Sequence, residues 1–256
     1  MKKIKEILES GSVALGTAIY TLNPAVVELA GYCGLDFVRI DTEHSWRRDE
    51  SLENICRAAD CAGIASIVRV DGDPHLIRKA LEVGAEGVLV PHINTMEEAE
   101  QVVRAAKFPP KGIRGYVDLC RSAKYGLAHD WISWSNKETM VGVMVEDRRA
   151  VDNIGEIMKV EGLDFVLFGR ADYSLSIGLP LQVSHPKVIE GLKNTIEAAK
   201  KNSKYVGIVV NYPWVEQAKK FIDMGCQLIE IGHDLSILRT IWREVVEDIR
   251  KLKKSS

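Results

Sequence analysis

The sequence predicts a single (β/α)8 barrel that takes up residues 1–256. Three observations favour this fold. A unit recurs in which a helical stretch ends at a glycine and a short apolar strand follows. About eight such strands fit into the chain, and no Pro/Gly/Ser-rich linker divides it. An open doubly wound sheet is the alternative, but no strand is followed by a GxGxxG or Walker-type loop.

The recurring unit can be read directly in the sequence. It appears as AGYCGLDFVRID, ADCAGIASIVRV, LEVGAEGVLVP, KVEGLDFVLFG and FIDMGCQLIEIG. With the flanking strands, the predicted strands are Val13–Tyr20, Asp36–Asp41, Ala65–Val70, Gly87–Pro91, Val141–Glu146, Asp164–Gly169, Tyr205–Val210 and Gln227–Ile231. Helix starts agree with this division, because Thr95 and Glu98 fit a capping box and Asp73-Pro74 fits an N-cap followed by proline.

One connection is much longer than the others. The segment Phe108–Thr139 lies between the fourth and fifth predicted strands and exceeds what a plain crossover needs. We expect this segment to cover the mouth of the barrel.

Composition excludes several classes of function. The 34 Lys and Arg residues balance 36 Asp and Glu residues, so no basic surface for nucleic acid is expected. The apolar runs have the length of strands rather than of membrane helices. The charged start, MKKIKEILESGS, lacks the apolar stretch of a signal peptide, which favours a cytoplasmic location. Five cysteines without CxxC spacing indicate neither a disulfide framework nor a zinc site.

Polar side chains collect where the predicted strands end, and in a barrel these ends form the catalytic rim. They are Asp41, Glu43, His44, Arg69, Glu146, Gly169, Arg170, Ala171 and Asp172. No lysine lies within a strand, which disfavours a Schiff-base aldolase. Glu146 and Asp172 could instead offer oxygen ligands to Mg²⁺ or Mn²⁺, with Co²⁺ as a further candidate.

Each of these residues also has a purely structural interpretation. Glu146 or Asp172 could cap a helix, and Arg69 could form an ordinary ion pair. His44 could be a loop histidine bonded to a carboxylate. His92, after the fourth strand, could reach the site or serve the entry to the next helix. The position of the residues on one rim, rather than any one of them, predicts a site.

These same stretches resemble the HpcH/HpaI family of metal-dependent class II pyruvate aldolases, to which macrophomate synthase is related. The resemblance runs from about Gly11 to Leu238 and is carried by IDTEHSWRRDE, by VRVDGDPHLIRKALEVGAEGVLVPHINTMEEAEQVVRAAKFPPKGIRG, and by VEDRRAVDNIGEIMKVEGLDFVLFGRADYSLSIGLP. It implies a barrel of the phosphoenolpyruvate/pyruvate type. It also implies a lyase that reversibly cleaves a 4-hydroxy-2-oxo acid to pyruvate and an aldehyde through a metal-stabilised enolate, without an organic cofactor.

The resemblance assigns roles residue by residue. Glu146 and Asp172 would bind the metal, and Arg69 would contact the pyruvate oxygen. His44, oriented by Asp41, would move the proton of the aldol hydroxyl. The turn from Gly169 through Arg170 and Ala171 to Asp172 would bind the pyruvate carboxylate through its backbone amides.

The chain departs from the family pattern at several positions. Met144 stands where the family usually has glutamine, Arg170 replaces a proline, Tyr173 replaces a leucine, and RGYV replaces Arg-Gly-x-Gly. Arg170 is expected either to pair with Glu43 or Asp147 or to receive an anionic group of the substrate. These departures leave oxaloacetate decarboxylation, another enolate condensation, or a non-catalytic barrel as alternatives.

The C-terminal segment LSILRTIWREVVEDIRKLKK has apolar residues at helical spacing. It could pack onto its own barrel as the eighth helix. The resemblance instead implies that the helix is exchanged between subunits of a homo-oligomer, which would be a hexamer or another assembly based on dimers.

Overall fold

A computed structural model of the protein describes residues 4–45 and 51–252. Within them, eight parallel strands close into a barrel in sequence order, so the predicted fold is confirmed. The strands are β1 (Ala14–Ile19), β2 (Phe37–Asp41), β3 (Ala65–Arg69), β4 (Gly87–Val90), β5 (Met140–Val145), β6 (Phe165–Phe168), β7 (Tyr205–Val210) and β8 (Leu228–His233).

Helices surround the barrel and connect its strands. They are α1 (Ile4–Glu9), α2 (Pro24–Tyr32), α3 (Ser51–Ala62), α4 (Pro74–Glu82), α5 (Met96–Ala106), α6 (Trp131–Glu138), α7 (Arg148–Asp152), α8 (Ile154–Ile157), α9 (Arg170–Ser176), α10 (Pro186–Lys201), α11 (Trp214–Met224) and α12 (Asp234–Leu252), with a 3₁₀ helix at Arg121–Gly126. The predicted caps are present, because Thr95 and Glu98 form a capping box before α5 and Asp73 caps α4. Among the described residues, no helix is both long and apolar enough to cross a membrane.

Side chains alternate along each strand between the helices and the barrel interior. On β2, Val38 and Ile40 pack in the apolar layer under the helices, whereas Phe37 belongs to the apolar cluster inside the barrel. The same alternation directs Arg39 and Asp41 inward. The barrel interior is therefore apolar near the start of the strands and charged near their ends.

The N-terminal end of the barrel is closed by apolar packing. Helix α1 inserts Ile4, Ile7 and Leu8 into the same cluster that holds Phe165. Gly142 makes room for this ring, because a Cβ on that glycine would lie 2.2 Å from the Phe165 ring. The chemistry of the rim is consequently confined to the other end, where the strands finish.

The long segment Phe108–Thr139 does not cover the mouth, so that prediction is wrong. The segment begins after α5, at the end of the barrel where the helices finish and the strands start. Arg121 donates to the carbonyl of Val83, just after α4, and pairs with Asp60, near the end of α3. The length of a connection does not reveal which end of the barrel it occupies, and here α5 carries the chain away from the mouth.

Helix α12 extends from the barrel with little packing of its own. Of its 19 residues only Asp234 is buried. Its exposed apolar residues are Leu235, Leu238, Ile241, Trp242, Val245, Val246, Ile249 and Leu252. The expectation that this helix packs onto its own barrel is therefore wrong for the described residues, and positions 253–254 of the predicted helix lie outside them.

Candidate active site

Asp41 ends β2 at the centre of a buried group of charges. Arg39, two residues earlier on the same inward face, donates from Nη1 to Asp41 Oδ2 at 2.9 Å. The Arg39 Nε also donates to both carboxylate oxygens of Glu230 on β8, at 2.9 and 3.0 Å. Burial alone would raise the pKa of Asp41, but Arg69, the His44 amide and Arg39 together lower it. Asp41 is consequently held as a carboxylate.

Arg69, at the end of β3, lies between two carboxylates. Its Nη2 pairs with Asp41, and its Nη1 lies 3.1 Å from Oε2 of Glu43. The same Nη1 contacts the Met144 sulfur at 3.5 Å, and Nη2 donates to the Tyr20 hydroxyl at 3.4 Å. Since Arg69 is almost fully buried, these contacts fix its guanidinium at the mouth of the barrel.

The expected side-chain dyad between His44 and Asp41 does not form. Asp41 Oδ1 accepts from the backbone N–H of His44 at 2.9 Å, so the carboxylate orients the loop rather than the ring. The imidazole is exposed, and its Nε2 lies 3.9 Å from Oε2 of Glu43.

Glu146 follows β5 and is only 5% exposed. Its Oε1 accepts from the backbone N–H of His92 at 2.9 Å and lies 3.2 Å from the ring Nδ1 of the same residue. Burial raises the pKa of Glu146, and Asp172 and Glu43 raise it further, against the lowering by His92. Glu146 does not cap α7, because Asp147 does so by accepting from Arg149 N. Its carboxylate is thus directed to the rim.

The surroundings of Glu146 fit a hard divalent cation. Asp172 lies exposed in the first turn of α9, near enough for its charge to act on Glu146. A Cβ on Gly169 would lie 3.0 Å from Oε2 of Glu146, so the glycine keeps space open beside this oxygen. Within the described residues, no three His, Cys, Asp or Glu side chains are arranged to hold a metal. A metal on this pair would therefore need further oxygens from water or substrate.

Arg170 forms neither of its predicted ion pairs with Glu43 or Asp147. Its side chain turns away from the rim, donates to the Val209 carbonyl at 2.7 Å and lies 4.6 Å from the centre of the Phe221 ring. No carboxylate in the described part of the chain pairs with it, and burial lowers its pKa. Arg170 occupies the first turn of α9, from which its side chain passes between β7 and α11. Packing and the bond to the Val209 carbonyl hold the Arg170 side chain, but the residue also contributes to the lining of the cavity at the mouth, so its contact with a substrate anion stays a prediction.

Tyr173, another departure from the family pattern, also packs away from the rim. It is buried, and its ring meets Phe168 edge-on at 5.2 Å between ring centroids. Met144 differs, because it lines the cavity at the mouth and its sulfur contacts Arg69. Met144 is therefore the departure whose side chain contacts the predicted catalytic residue Arg69.

A cavity of about 190 Å³ opens at the mouth, smaller than the pockets of drug-sized ligands. His44, Arg69, Gly169, Arg170, Ala171 and Asp172 contribute to its lining. Sequence reasoning missed two further lining residues, Tyr20 and His233, whose rings meet edge-on at 4.9 Å. Burial and the nearby Arg39 lower the pKa of His233. Tyr20 and His233 lie at the ends of β1 and β8, which pair with each other. Their position at strand ends is the sequence feature from which they could have been predicted as site residues.

This architecture, with charged residues and a small cavity at the carboxyl ends of the strands, is that of a barrel enzyme. A model of the HpcH/HpaI aldolase/citrate lyase family matches residues 19–240, and the chain belongs to that family. A 5-keto-4-deoxy-D-glucarate aldolase of Klebsiella pneumoniae is 30% identical over 97% of both chains. The predicted family and the predicted class, a carbon–carbon lyase, are thereby confirmed.

Two solved structures resemble the whole chain. An HpcH/HpaI aldolase from Desulfitobacterium hafniense superposes with a TM-score of 0.90 at 28% identity, covering 98% of this chain and 97% of its own. The citrate synthase SbnG superposes with a TM-score of 0.86 at 31% identity, covering 99% and 98%. A protein named as an aldolase and a protein named as a citrate synthase therefore share this barrel.

Proposed function

We propose that this protein is a divalent-metal-dependent aldolase that reversibly cleaves a 4-hydroxy-2-oxo acid into pyruvate and an aldehyde. The observation that carries the proposal is one small cavity lined by an exposed Asp172, a fixed Arg69 and an exposed His44, with the buried Glu146 next to Gly169 of the same lining. Such a reaction needs a base for the C4 hydroxyl and a site that accepts negative charge on the keto oxygen.

Each of these side chains has a task that its surroundings support. Arg69, with Asp41 and Glu43 fixing its guanidinium, would donate to the oxygen of the 2-oxo acid. His44, whose ring is exposed at the mouth, would accept the proton of the C4 hydroxyl. The backbone amides around Ala171 and Asp172, at the start of α9, would bind the carboxylate of the 2-oxo acid.

Glu146 and Asp172 would hold the metal, for which Mg²⁺ and Mn²⁺ suit two carboxylates better than zinc does. Such an ion would polarise the keto group and offset the charge that develops on its oxygen.

The relatives guide the choice of the first substrate. 5-Keto-4-deoxy-D-glucarate, the compound in their name, is itself a 4-hydroxy-2-oxo acid when the diacid is numbered from its other end. We therefore select keto-deoxy sugar diacids as the first substrates to test. With Mn²⁺, pyruvate and an equimolar aldehyde should form, as read by a coupled pyruvate assay and by product mass.

Two controls accompany this assay. Chelation by EDTA should stop the reaction, and Glu146→Gln should lack it. Absence of pyruvate from every 4-hydroxy-2-oxo acid tested, with Mg²⁺, Mn²⁺ or Co²⁺, would contradict the proposal.

A second candidate is a condensation or decarboxylation that starts from oxaloacetate. It is favoured by the resemblance to SbnG, which is a citrate synthase, and it needs the same groups on the chain. The two candidates separate by kinetics on one preparation. Higher kcat/KM for loss of CO2 from oxaloacetate than for cleavage of any 4-hydroxy-2-oxo acid would favour this candidate.

The exposed apolar face of α12 supports a homo-oligomer in which this helix is exchanged between subunits. A single chain would leave eight large apolar side chains of one helix in water, which is unusual for a monomer. Light scattering should give a mass that is a multiple of 28.5 kDa. A mass of one chain at micromolar concentration would remove the exchange.

A further inference from the structure

His92 adopts a backbone conformation that few residues other than glycine adopt. Its φ is 60°, in the left-handed region, at the point where the chain leaves β4. In this conformation its N–H donates to Oε1 of Glu146 at 2.9 Å. The conformation is not needed to start α5, because the capping box of Thr95 and Glu98 already does that. His92 is therefore directed to the rim for another reason.

The ring of His92 joins two carboxylates. Its Nδ1 lies 3.2 Å from Oε1 of Glu146, and its Nε2 lies 3.0 Å from Oε1 of Glu43. Glu43 in turn contacts Arg69 through its other oxygen. His92 thus links the carboxylate expected to bind the metal with the cluster that fixes the arginine.

We propose that His92 is a positioning residue that holds Glu146 and Glu43 in the orientation required for metal binding. The inference rests on the proposed function, since it assigns the metal to Glu146 and Asp172. Like charges on Glu43, Asp172 and Glu146 repel one another. The amide and ring of His92 counter this repulsion at Oε1 of Glu146, so that Oε2, beside the space kept open by Gly169, stays directed to the metal position.

The ring of His92 is not a ligand itself. Each of its nitrogens faces a carboxylate oxygen, so the proposal gives the ring contacts to Glu146 and Glu43 rather than to the metal. Partners of this kind, which bind a ligand rather than the metal, typically change metal affinity by about 10–100-fold when removed.

The test measures Mn²⁺ binding without substrate, by the electron paramagnetic resonance signal of free Mn²⁺. His92→Gly keeps the backbone N–H and the positive φ but removes the ring, and we expect its Kd to rise by about 10–100-fold. His92→Asn tolerates the same backbone conformation and supplies a shorter donor, so it should give a smaller rise. His75→Asn, at an exposed histidine of α4, is the matched control and should bind as the wild type does.

A second comparison isolates the link through Glu43. If the ring acts by joining the two carboxylates, Glu43→Gln should weaken Mn²⁺ binding, and adding His92→Gly should weaken it by less than the product of the two single effects. Thermal unfolding without metal should change little in His92→Gly, which separates positioning from loss of fold.

The outcomes distinguish the inference from the proposed function. A wild-type chain that does not bind Mn²⁺ would remove both. Binding by wild type with an unchanged Kd in His92→Gly would overturn the positioning role and leave the proposed function standing. A loss as complete as in Glu146→Gln would make His92 a direct ligand and would also overturn the positioning role.

Discussion

The two halves of the barrel mouth use similar residues in different ways. The half formed by β2 to β5 carries Arg69, which contacts Asp41 and Glu43 at the cavity. The half formed by β6 to β8 carries Arg170, which is also buried yet packs on Phe221 and has no described carboxylate partner. An arginine at the end of a strand is therefore not by itself a sign of substrate binding.

The difference follows from where each arginine lies in its element. Arg69 is the last residue of β3, at an inward position two residues after Ile67, which packs inside the barrel. Arg170 comes two residues after Phe168, which packs in the layer under the helices, and it starts α9, so its side chain turns outward. A shift of one residue exchanges the two faces of a strand, and this parity decides whether the arginine side chain points into the barrel or toward the helices.

The largest effect is expected from the metal-binding pair that spans the two halves. Glu146→Gln and Asp172→Asn each remove a charged oxygen ligand and should lower metal-dependent turnover by at least about 10³-fold, since a metal contributes several kcal/mol to such reactions. Steady-state kinetics with Mn²⁺ checks this, with circular dichroism as the control for folding. Turnover close to that of the wild type in either variant would remove the metal assignment.

Loss of the exposed His44 ring should slow carbon–carbon cleavage nearly as much, but it should affect enolate formation far less. His44→Ala should slow carbon–carbon cleavage by about 10³-fold, the middle of the range for a general base. Exchange of the pyruvate methyl protons should fall much less, because that step does not involve the C4 hydroxyl. Equal losses in cleavage and exchange would mean that His44 positions other groups instead.

The buried ion pair between Arg39 and Glu230 should contribute to the stability of the fold. Glu230→Gln removes one of the two carboxylates that the buried Arg39 contacts and should lower the free energy of unfolding by about 3 kcal/mol, because Asp41 remains as the other partner. Replacing both, as Arg39→Met with Glu230→Met, should cost less than the single change, because Asp41 keeps Arg69 as its partner and no buried charge is left unpaired. Urea unfolding measures both, and a double variant less stable than the single one would contradict this account.

A conservative change at the fixed arginine should have a moderate effect. Arg69→Lys keeps the charge but cannot contact Asp41 and Glu43 with a planar fork, and kcat/KM should fall by roughly 10²-fold. Initial rates over a range of substrate concentrations measure kcat and KM separately. A variant as active as the wild type would show that only the charge at this position is required.

The smallest effect on activity is expected from a change at Arg170, in the half of the mouth formed by β6 to β8. Arg170→Ala removes the bond to the Val209 carbonyl and the packing on Phe221, and should lower stability by about 1–3 kcal/mol with little change in kcat. A thermal melt beside a kinetic assay measures both. An increase in KM for anionic aldehydes without loss of stability would return Arg170 to the substrate site.

The fold was predictable from the sequence because its signals are local. Glycine at the end of a helix followed by an apolar strand, and the capping box of Thr95 and Glu98, each depend on a few neighbouring residues. The eight strands consequently lie within two residues of their predicted ends. The long segment was misplaced because its length carries no information about which end of the barrel it occupies.

The site was predicted only in part because its contacts are distant in sequence. Arg39 and Glu230 are 191 positions apart, and nothing in the sequence of either strand indicates that the two side chains will meet. The role of His92 stays ambiguous in the sequence because its left-handed backbone cannot be read from VPHINT. The residue types at the strand ends were predictable from the sequence. The partners of those side chains were not, because closure of the barrel decides which strand ends lie next to one another.

Solvent exchange at the methyl group of pyruvate reports enolate formation at this site without the need for an aldehyde substrate. In D2O with Mn²⁺, the wild-type chain should incorporate deuterium into pyruvate, as followed by proton NMR. EDTA and Glu146→Gln should each stop the exchange, whereas Arg170→Ala should leave it in place. No exchange with any divalent metal, or exchange that persists in Glu146→Gln, would contradict the claim that a metal held by Glu146 and Asp172 activates a 2-oxo acid.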